Sequence, residues 1–463
     1  MNKINMSVAI VPMAMEFHWS PSVSGVVQSS FFYGYLLCQL PAGYLSSRFG
    51  GRTVLPVGVG LWSLATCCLP LLASTIPGLC LSRSLVGLGE AAAPAAAIDL
   101  VARLSPPSER SRTVSFIFTG LHFGSIIGLL TAPLIIRSWG WEALFISYGA
   151  AGGLWVWAYE AIVARMRTQD PAVFNDLTRR GGASGARAGK GAAAAQRADE
   201  LDRLGGGNGA DAATLANEAE AVRAAEAAAD LDAERPVPWR AFVRNGSVRA
   251  LMYTHFANNW FHYTMLAWLP TYLIHTLGVD LLHAAQTALL PPIAGIAASA
   301  AAGPAADAAL EAGVPLPLVR KVAQCTAFVL PSALLLAAAS PDMPGSETVG
   351  YITVALGVSS FSLAGLYCTH GDLSPKYAAP MLSLTNTVGA LPGAVGVATV
   401  GYLYDTTGSW EAALFLPSAA FMLTAAAAFT AYSTHDPVDF DDAALNAPFA
   451  WENALARATG RSP

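Results

Sequence analysis

Arg83 and Glu90 stand seven residues apart inside an apolar stretch, 76–102, that is long enough to cross a membrane. A charge at bilayer depth costs about 2.5–3.5 kcal/mol even on insertion scales, so such residues face a protein interior or an aqueous path. Seven residues are about 700° of helix, which brings both side chains to one face. The pair therefore reads as the floor of a polar cavity in a helix bundle. A purely structural ion pair is the other reading. A guanidinium offers a forked, bidentate match to an oxyanion, and a carboxylate beside it can take up a proton or a sodium ion.

Further polar groups fall in other apolar stretches. His255, Asn259 and His262 recur at helical spacing with Asn258 and Tyr263 beside them, a stripe of hydrogen-bond donors suited to an anion or to tying helices together. His122 and Asn386 with Thr385 lie mid-stretch, and Tyr367 and His370 end another, where they line a gate or anchor at the interface. Asp99 lies nine residues beyond Glu90, about half a turn round the helix, and so points away from Arg83. With Arg103 four residues later it forms a charge cluster that latches one conformation. Gly120, Gly124 and Gly128 make a small-residue ridge for close helix packing. No zinc spacing, nucleophile elbow or phosphate-binding Walker loop is present, so the residues call for no cofactor.

The elements that must position these groups are membrane helices. Of 463 residues, 54% are hydrophobic and 12% charged, about half the charged share of soluble domains. The net charge of −5 owes much to an acidic run at 436–442, and nothing supports nucleic-acid binding. The six cysteines all lie in apolar stretches without ligand spacing. Runs of spanning length occur at 23–45, 53–73, 76–102, 113–136, 140–164, 248–276, 281–310, 318–340, 346–371, 376–404 and 409–433. A shorter run at 4–14 adds a partial first span. Arg48, Arg52, Arg103, Arg110, Arg112, Arg320, Lys321 and Lys376 all fall in loops on one side, whereas the opposite short loops hold only Arg137. By the positive-inside rule, both termini and the long central loop face the cytosol or the equivalent stroma.

The chain repeats at an offset of 269. Arg52 matches Lys321, Ser105-Pro106 matches Ser374-Pro375, Gly120 and Gly124 match Gly389 and Gly393, and Trp141-Glu142 matches Trp410-Glu411. Two parallel six-helix halves carry this signature; a receptor or membrane enzyme does not. The expected organisation is an N-terminal half at 1–164, a linker at 165–247, a C-terminal half at 248–433 and an acidic tail at 434–463. The offset places the start of the first span about twenty residues before Met1, so the first span is expected to be truncated. A short secretory signal beginning at Lys3 is the competing reading. The Gly/Ala-rich part of the linker, 181–209, cannot form a core; 210–234 favours a solvated helix, and Trp239 with Arg240 suits the membrane interface.

The run Gly43-Tyr44-Leu45-Ser46-Ser47-Arg48-Phe49-Gly50-Gly51-Arg52 resembles the loop signature of the major facilitator superfamily, with Ser47 in place of its usual aspartate. Arg83-Ser84-Leu85-Val86-Gly87-Leu88-Gly89-Glu90, Pro94 and Pro106-Pro107-Ser108-Glu109-Arg110-Ser111 are similar to its anion:cation symporter family, which includes sodium–phosphate cotransporters, sialin and vesicular glutamate transporters. Asn258-Asn259-Trp260-Phe261-His262-Tyr263, Gly365-Leu366-Tyr367-Cys368-Thr369-His370 and Thr385-Asn386-Thr387-Val388-Gly389-Ala390 bring it closest to the plastid anion transporters of plants and algae.

The resemblance implies an all-α integral membrane protein of major facilitator fold, monomeric, in a plastid membrane. It implies an electrochemically driven anion carrier: phosphate symported with sodium or protons, or else an organic anion such as ascorbate. A transport-inactive sensor is the alternative of another class. Substrate binding would then fall to Arg83, Lys3, Asn259, His262, Tyr263 and Asn386, ion coupling to Glu90 and His122, and conformational latching to Arg48, Arg52, Asp99 and Arg103. Lys3 stands where the family places an arginine, keeping the charge and losing the fork.

Overall fold

The computed structural model describes residues 2–104, 110–178, 237–340, 343–374, 377–434 and 436–449. Most of the linker, including 210–234, lies outside them, as do Ser105, Pro106 and Lys376 and the side chains of Lys3, Arg103, Arg110, Arg112 and His122. Among the described residues there is no strand.

The first half opens with α1 (Asn2–Glu16), α2 (Pro21–Phe49), α3 (Gly51–Leu72) and α4 (Ile76–Leu104). It continues in α5 (Arg110–Gln169), whose helix turns at Gly140 (φ 87°) and so holds the stretches at 113–136 and 140–164 as two legs, and then α6 (Pro171–Thr178). The second half runs through α7 (Trp239–Arg244), α8 (Gly246–Leu277), α9 (Leu281–Thr287), α10 (Leu290–Glu311), α11 (Leu316–Ala338), α12 (Gly345–Val358), α13 (Leu366–Leu373), α14 (Ala378–Thr407), α15 (Leu416–Tyr432) and the short α16 (Ala443–Asn446). Eight helical stretches among the described residues are long and apolar enough to cross a membrane, 123–169 counting once. α2 and α8 match them in length, with 29 and 32 residues, and carry more polar side chains.

Two stretches that read as unbroken spans are interrupted. The run 281–310 is divided between α9 and α10, where Pro291 and Pro292 restart the helix. The run 346–371 passes through a 3₁₀ turn at Ser359–Leu363 and breaks at Gly365 (φ −90°, ψ −91°). Backbone groups freed inside a membrane must find partners, and the buried side chain of Gln324 on α11 supplies them. Its Oε1 accepts from Leu366 N at 2.9 Å and its Nε2 donates to Ser362 Oγ at 3.3 Å. The acidic tail is also partly ordered. Phe440 is buried against Phe242 and Tyr377, Tyr377 Oη donates to Asp441 at 2.5 Å, and Arg244 donates to the carbonyls of Ala444, Leu445 and Pro448.

α4 is clamped between α2 and α3. Ser84 Oγ donates to Ser30 O on α2 and Ser82 Oγ to Ala65 O on α3, both at 2.8 Å, so the residue between them, Arg83, has a fixed direction. The backbones of α2 and α4 approach closely at Gly34 and Gly87, where a Cβ would collide with the carbonyls of Ser84 and Phe31. Gly87→Val is expected to lower the stability of the purified protein by about 1–3 kcal/mol, read as a fall in melting temperature.

In the second half α8 and α14 run parallel. Their contacts step in register: His255 with Thr385, Asn259 with Gly389, Trp268 with Val397 and His275 with Tyr404. The halves meet where α2 crosses α14 in the opposite sense. Ser22 N donates to Asp405 at 3.1 Å, Gly25 lies on Val397 and Ala398, Gly401 lies on the Pro21 carbonyl, and the Phe32 ring fills the space over Gly393. These contacts occupy the start of α2 and the end of α14, the side remote from Arg48, Arg52 and Arg320. Among the described residues, the halves are thus joined on the side opposite the basic loops.

Candidate anion site

Arg83 is 3% exposed, and its guanidinium carbon lies 5.5 Å from the centre of the Phe31 ring. It opens onto a cavity of about 20 Å³, room for about one water molecule, lined by Met6 of α1, Gln28, Phe31 and Phe32 of α2, and Tyr263, Leu266 and Ala267 of α8. The site therefore lies between the halves, at the inner limit of their contact, where the tilted rings of Phe32 and Tyr263 meet with centroids 4.7 Å apart. Glu90 is close enough for its charge to act on both Arg83, its neighbour by helical periodicity, and Tyr263 of α8.

Of the groups lining this cavity, Gln28 has a buried Nε2 without a hydrogen-bond partner; Oδ1 and Nδ2 of Asn5, next to Met6 on α1, and Oε2 of Glu90 on α4 are buried and unpartnered as well. Buried polar groups are almost always bonded, so an open donor at Gln28 in the same cavity as a buried cation marks a place for a polar ligand. Gln28 and Asn5 were not among the site residues expected from sequence. The signal for Gln28 was present, a lone amide inside the apolar run 23–45, but only the crossing of α2 over α4 turns it toward Arg83.

The stripe on α8 divides. Tyr263 joins the cavity. Asn259 donates from Nδ2 to Gly389 O at 2.8 Å and accepts from Asn258 at 3.1 Å, which ties it to α14. His262 bonds the Asn258 carbonyl at 2.8 Å through Nδ1 and Ser359 Oγ at 3.1 Å through Nε2. His255 is buried against Thr385, and Asn386 is half-buried one residue further along α14. Lys3 lies on α1 and His122 on α5, with side chains outside the described residues. Among the latch residues, Arg52 pairs with Glu160 at 3.0 Å and Asp99 accepts from Gly51 N at 2.6 Å. Arg48 lies over the Phe49 ring at 5.7 Å. In the second half Arg320 pairs with Asp372 at 2.8 Å. Among the described residues no group of three or more His, Cys, Asp or Glu side chains is placed to hold a metal ion.

The sequence profile of the Major Facilitator Superfamily matches residues 1–397. A protein of Arabidopsis thaliana named "Probable anion transporter 6, chloroplastic" is 42% identical over 95% of this chain and 77% of its own length. From the same plant, "Sodium-dependent phosphate transport protein 1, chloroplastic" is 29% identical over 95% of this chain and 77% of its own, and "Ascorbate transporter, chloroplastic" is 30% identical over 89% and 68%. Among solved structures, a bacterial homolog of the human lysosomal transporter Spinster in an inward-facing, unoccupied conformation superposes with a TM-score of 0.66 at 15% identity, covering 93% of this chain and 94% of its own. The xylose transporter XylE of E. coli in its inward-open conformation gives 0.64 at 15%, covering 93% of each.

Proposed function

Because the chain belongs to the Major Facilitator Superfamily, we propose that it carries small anions across a plastid membrane by alternating access, with inorganic phosphate symported with protons or sodium ions as the first substrate to test. It is a multi-pass membrane transporter and not an enzyme.

The observation that carries this reading is the buried guanidinium of Arg83 facing a cavity at the junction of the halves, with the open Nε2 of Gln28 in the same lining. Arg83 binds the oxyanion through its fork, Gln28 donates from Nε2, and Tyr263 closes the cavity from the second half. Glu90 couples the driving ion. With Glu90 ionised, its charge offsets that of Arg83. A proton or sodium ion on Glu90 removes the offset and strengthens the attraction of the guanidinium for the anion. The two ligands therefore favour each other's binding. The apolar wall of Met6, Phe31, Phe32 and Leu266 supports a second reading, an organic anion such as ascorbate or a carboxylate whose body packs there.

Glu90→Gln tests the coupling. In reconstituted vesicles it is expected to keep exchange of labelled for unlabelled anion while gradient-driven accumulation falls about 5- to 150-fold, the usual range of a coupling free energy. Full retention of gradient-driven uptake would assign coupling to another group.

A further inference from the structure

α2 and α3 both pack on α4 but hold apart from each other, and between them runs a crevice of about 270 Å³, against about 20 Å³ at Arg83. Cys38 and Phe49 of α2 stand on one wall, Thr53, Val57 and Leu61 of α3 on the other, and Gly89 of α4 on the floor. The floor is low because α3 meets α4 glycine to glycine: a Cβ at Gly58 would come within 2.9 Å of the Gly89 carbonyl oxygen. Apart from the Thr53 hydroxyl and the Cys38 thiol, the lining side chains are apolar. A cavity of that chemistry stays dry and takes a nonpolar occupant.

Its dimensions match lipid hydrocarbon. The crevice starts at Phe49 and Thr53, on either side of the turn at Gly50, and reaches Cys38 and Leu61. Cys38 lies eleven residues before Phe49 and Leu61 eight beyond Thr53, about 16 Å and 12 Å of helix. One leaflet of hydrocarbon is about 15 Å deep. The crevice therefore runs from the membrane surface on the side of the basic loops to about mid-bilayer. Phe49 and Val57 are 54% and 66% exposed, so its walls reach the outer surface of the bundle, where lipid lies.

A cation stands at the surface end. Arg48 is exposed, and its guanidinium carbon lies 5.7 Å from the centre of the Phe49 ring, itself part of the wall. Nearby, Arg52 pairs with Glu160, and Asp99 accepts from Gly51 N. A phosphodiester matches the arginine fork, and basic groups beside a pocket between membrane helices recognise anionic headgroups. We propose that this crevice is a binding site for one anionic phospholipid, with an acyl chain lying between α2 and α3 and the phosphate held by Arg48. The site shares no lining residue with the Arg83 cavity, and it stands whichever anion the chain carries.

The test is native mass spectrometry of the full chain, purified in detergent and offered equal amounts of dioleoyl phosphatidylglycerol and dioleoyl phosphatidylcholine, read on the most tightly held lipid. The wild type is expected to retain phosphatidylglycerol about fivefold over phosphatidylcholine, the contribution of one arginine near an anionic surface. Arg48→Gln should erase that preference, and Arg48→Lys should keep most of it. Leu61→Trp puts an indole into the crevice and should lower retention of both lipids, its melting temperature in detergent showing whether the fold is kept. If Leu61→Trp unfolds, the exposed substitution Arg48→Gln decides alone. An excess of inorganic phosphate should leave the lipid in place, because it has no chain to lie in the crevice. Displacement by phosphate would assign Arg48 to a free anion and overturn the proposal. So would equal retention of the two lipids by the wild type, an unchanged preference in Arg48→Gln, or unchanged retention in a folded Leu61→Trp.

Discussion

Replacing Arg83 by alanine should abolish concentrative uptake. Removing one member of a buried, hydrogen-bonded charge pair costs about 2–5 kcal/mol of binding, or ~30- to several-thousand-fold. Arg83 is buried and lies within the electrostatic reach of Glu90, so the variant loses the anion's partner and leaves Glu90 without its counter-charge. Arg83→Lys separates charge from geometry. The ammonium keeps the charge but cannot form the fork, and its loss should be smaller, about 1.5–3 kcal/mol for one charge-assisted bond. Ser82 and Ser84 still fasten α4 to α3 and α2 in both variants, so the folded yield should hold. Initial rates of labelled phosphate uptake over a concentration series check this. Wild-type kinetics in Arg83→Ala would remove the residue from the binding role.

Gly401→Leu should also have a large, though smaller, effect through a different cause. Closure on the side opposite the basic loops depends on α14 passing Pro21 without a Cβ at Gly401, with Asp405 receiving Ser22 N beside it. A leucine cannot fit there unless the halves part. Overpacking of this kind costs about 1–3 kcal/mol, which shifts the balance of open and closed states by ~5- to 150-fold. Alternating access needs both states, so turnover should fall by a similar factor. A cysteine at Gln28, in a background free of the native cysteines, reports the shift: an impermeant thiol reagent should label it from the side opposite the basic loops faster in Gly401→Leu than in the parent. Equal labelling in both would show that Gly401 does not govern closure.

Much of the architecture was legible because membranes impose one rule, that backbone groups must be satisfied within helices, and run length reports it directly. The seven-residue spacing of Arg83 and Glu90 was equally readable, since periodicity on a single helix needs no tertiary information. The breaks at Gly365 and before Pro291 were not. The run 346–371 is continuous in hydropathy, and what permits its interruption is Gln324, a side chain more than thirty residues away that bonds both sides of the gap.

The α8 stripe shows the same limit. Helical spacing grouped His255, Asn259, His262 and Tyr263 on one face, and only packing divides them: Tyr263 enters the cavity wall, His255 and Asn259 bond α14, and His262 bonds Ser359 in the 3₁₀ turn. Gln28 was hidden for the converse reason. A single amide in an apolar run has no periodic partner, and its role emerges where three helices converge on Arg83.

The central claim is that an oxyanion enters between the halves to meet Arg83 while Glu90 carries the driving ion. The most direct measurement is time-resolved uptake of labelled phosphate, ascorbate and glutamate into vesicles containing the wild-type protein, under imposed proton or sodium gradients and under none. One of these anions is expected to accumulate transiently above equilibrium when one of the two gradients is imposed, and to equilibrate without overshoot in its absence. Uptake indifferent to both gradients, or no uptake of any of the three anions, would contradict the account.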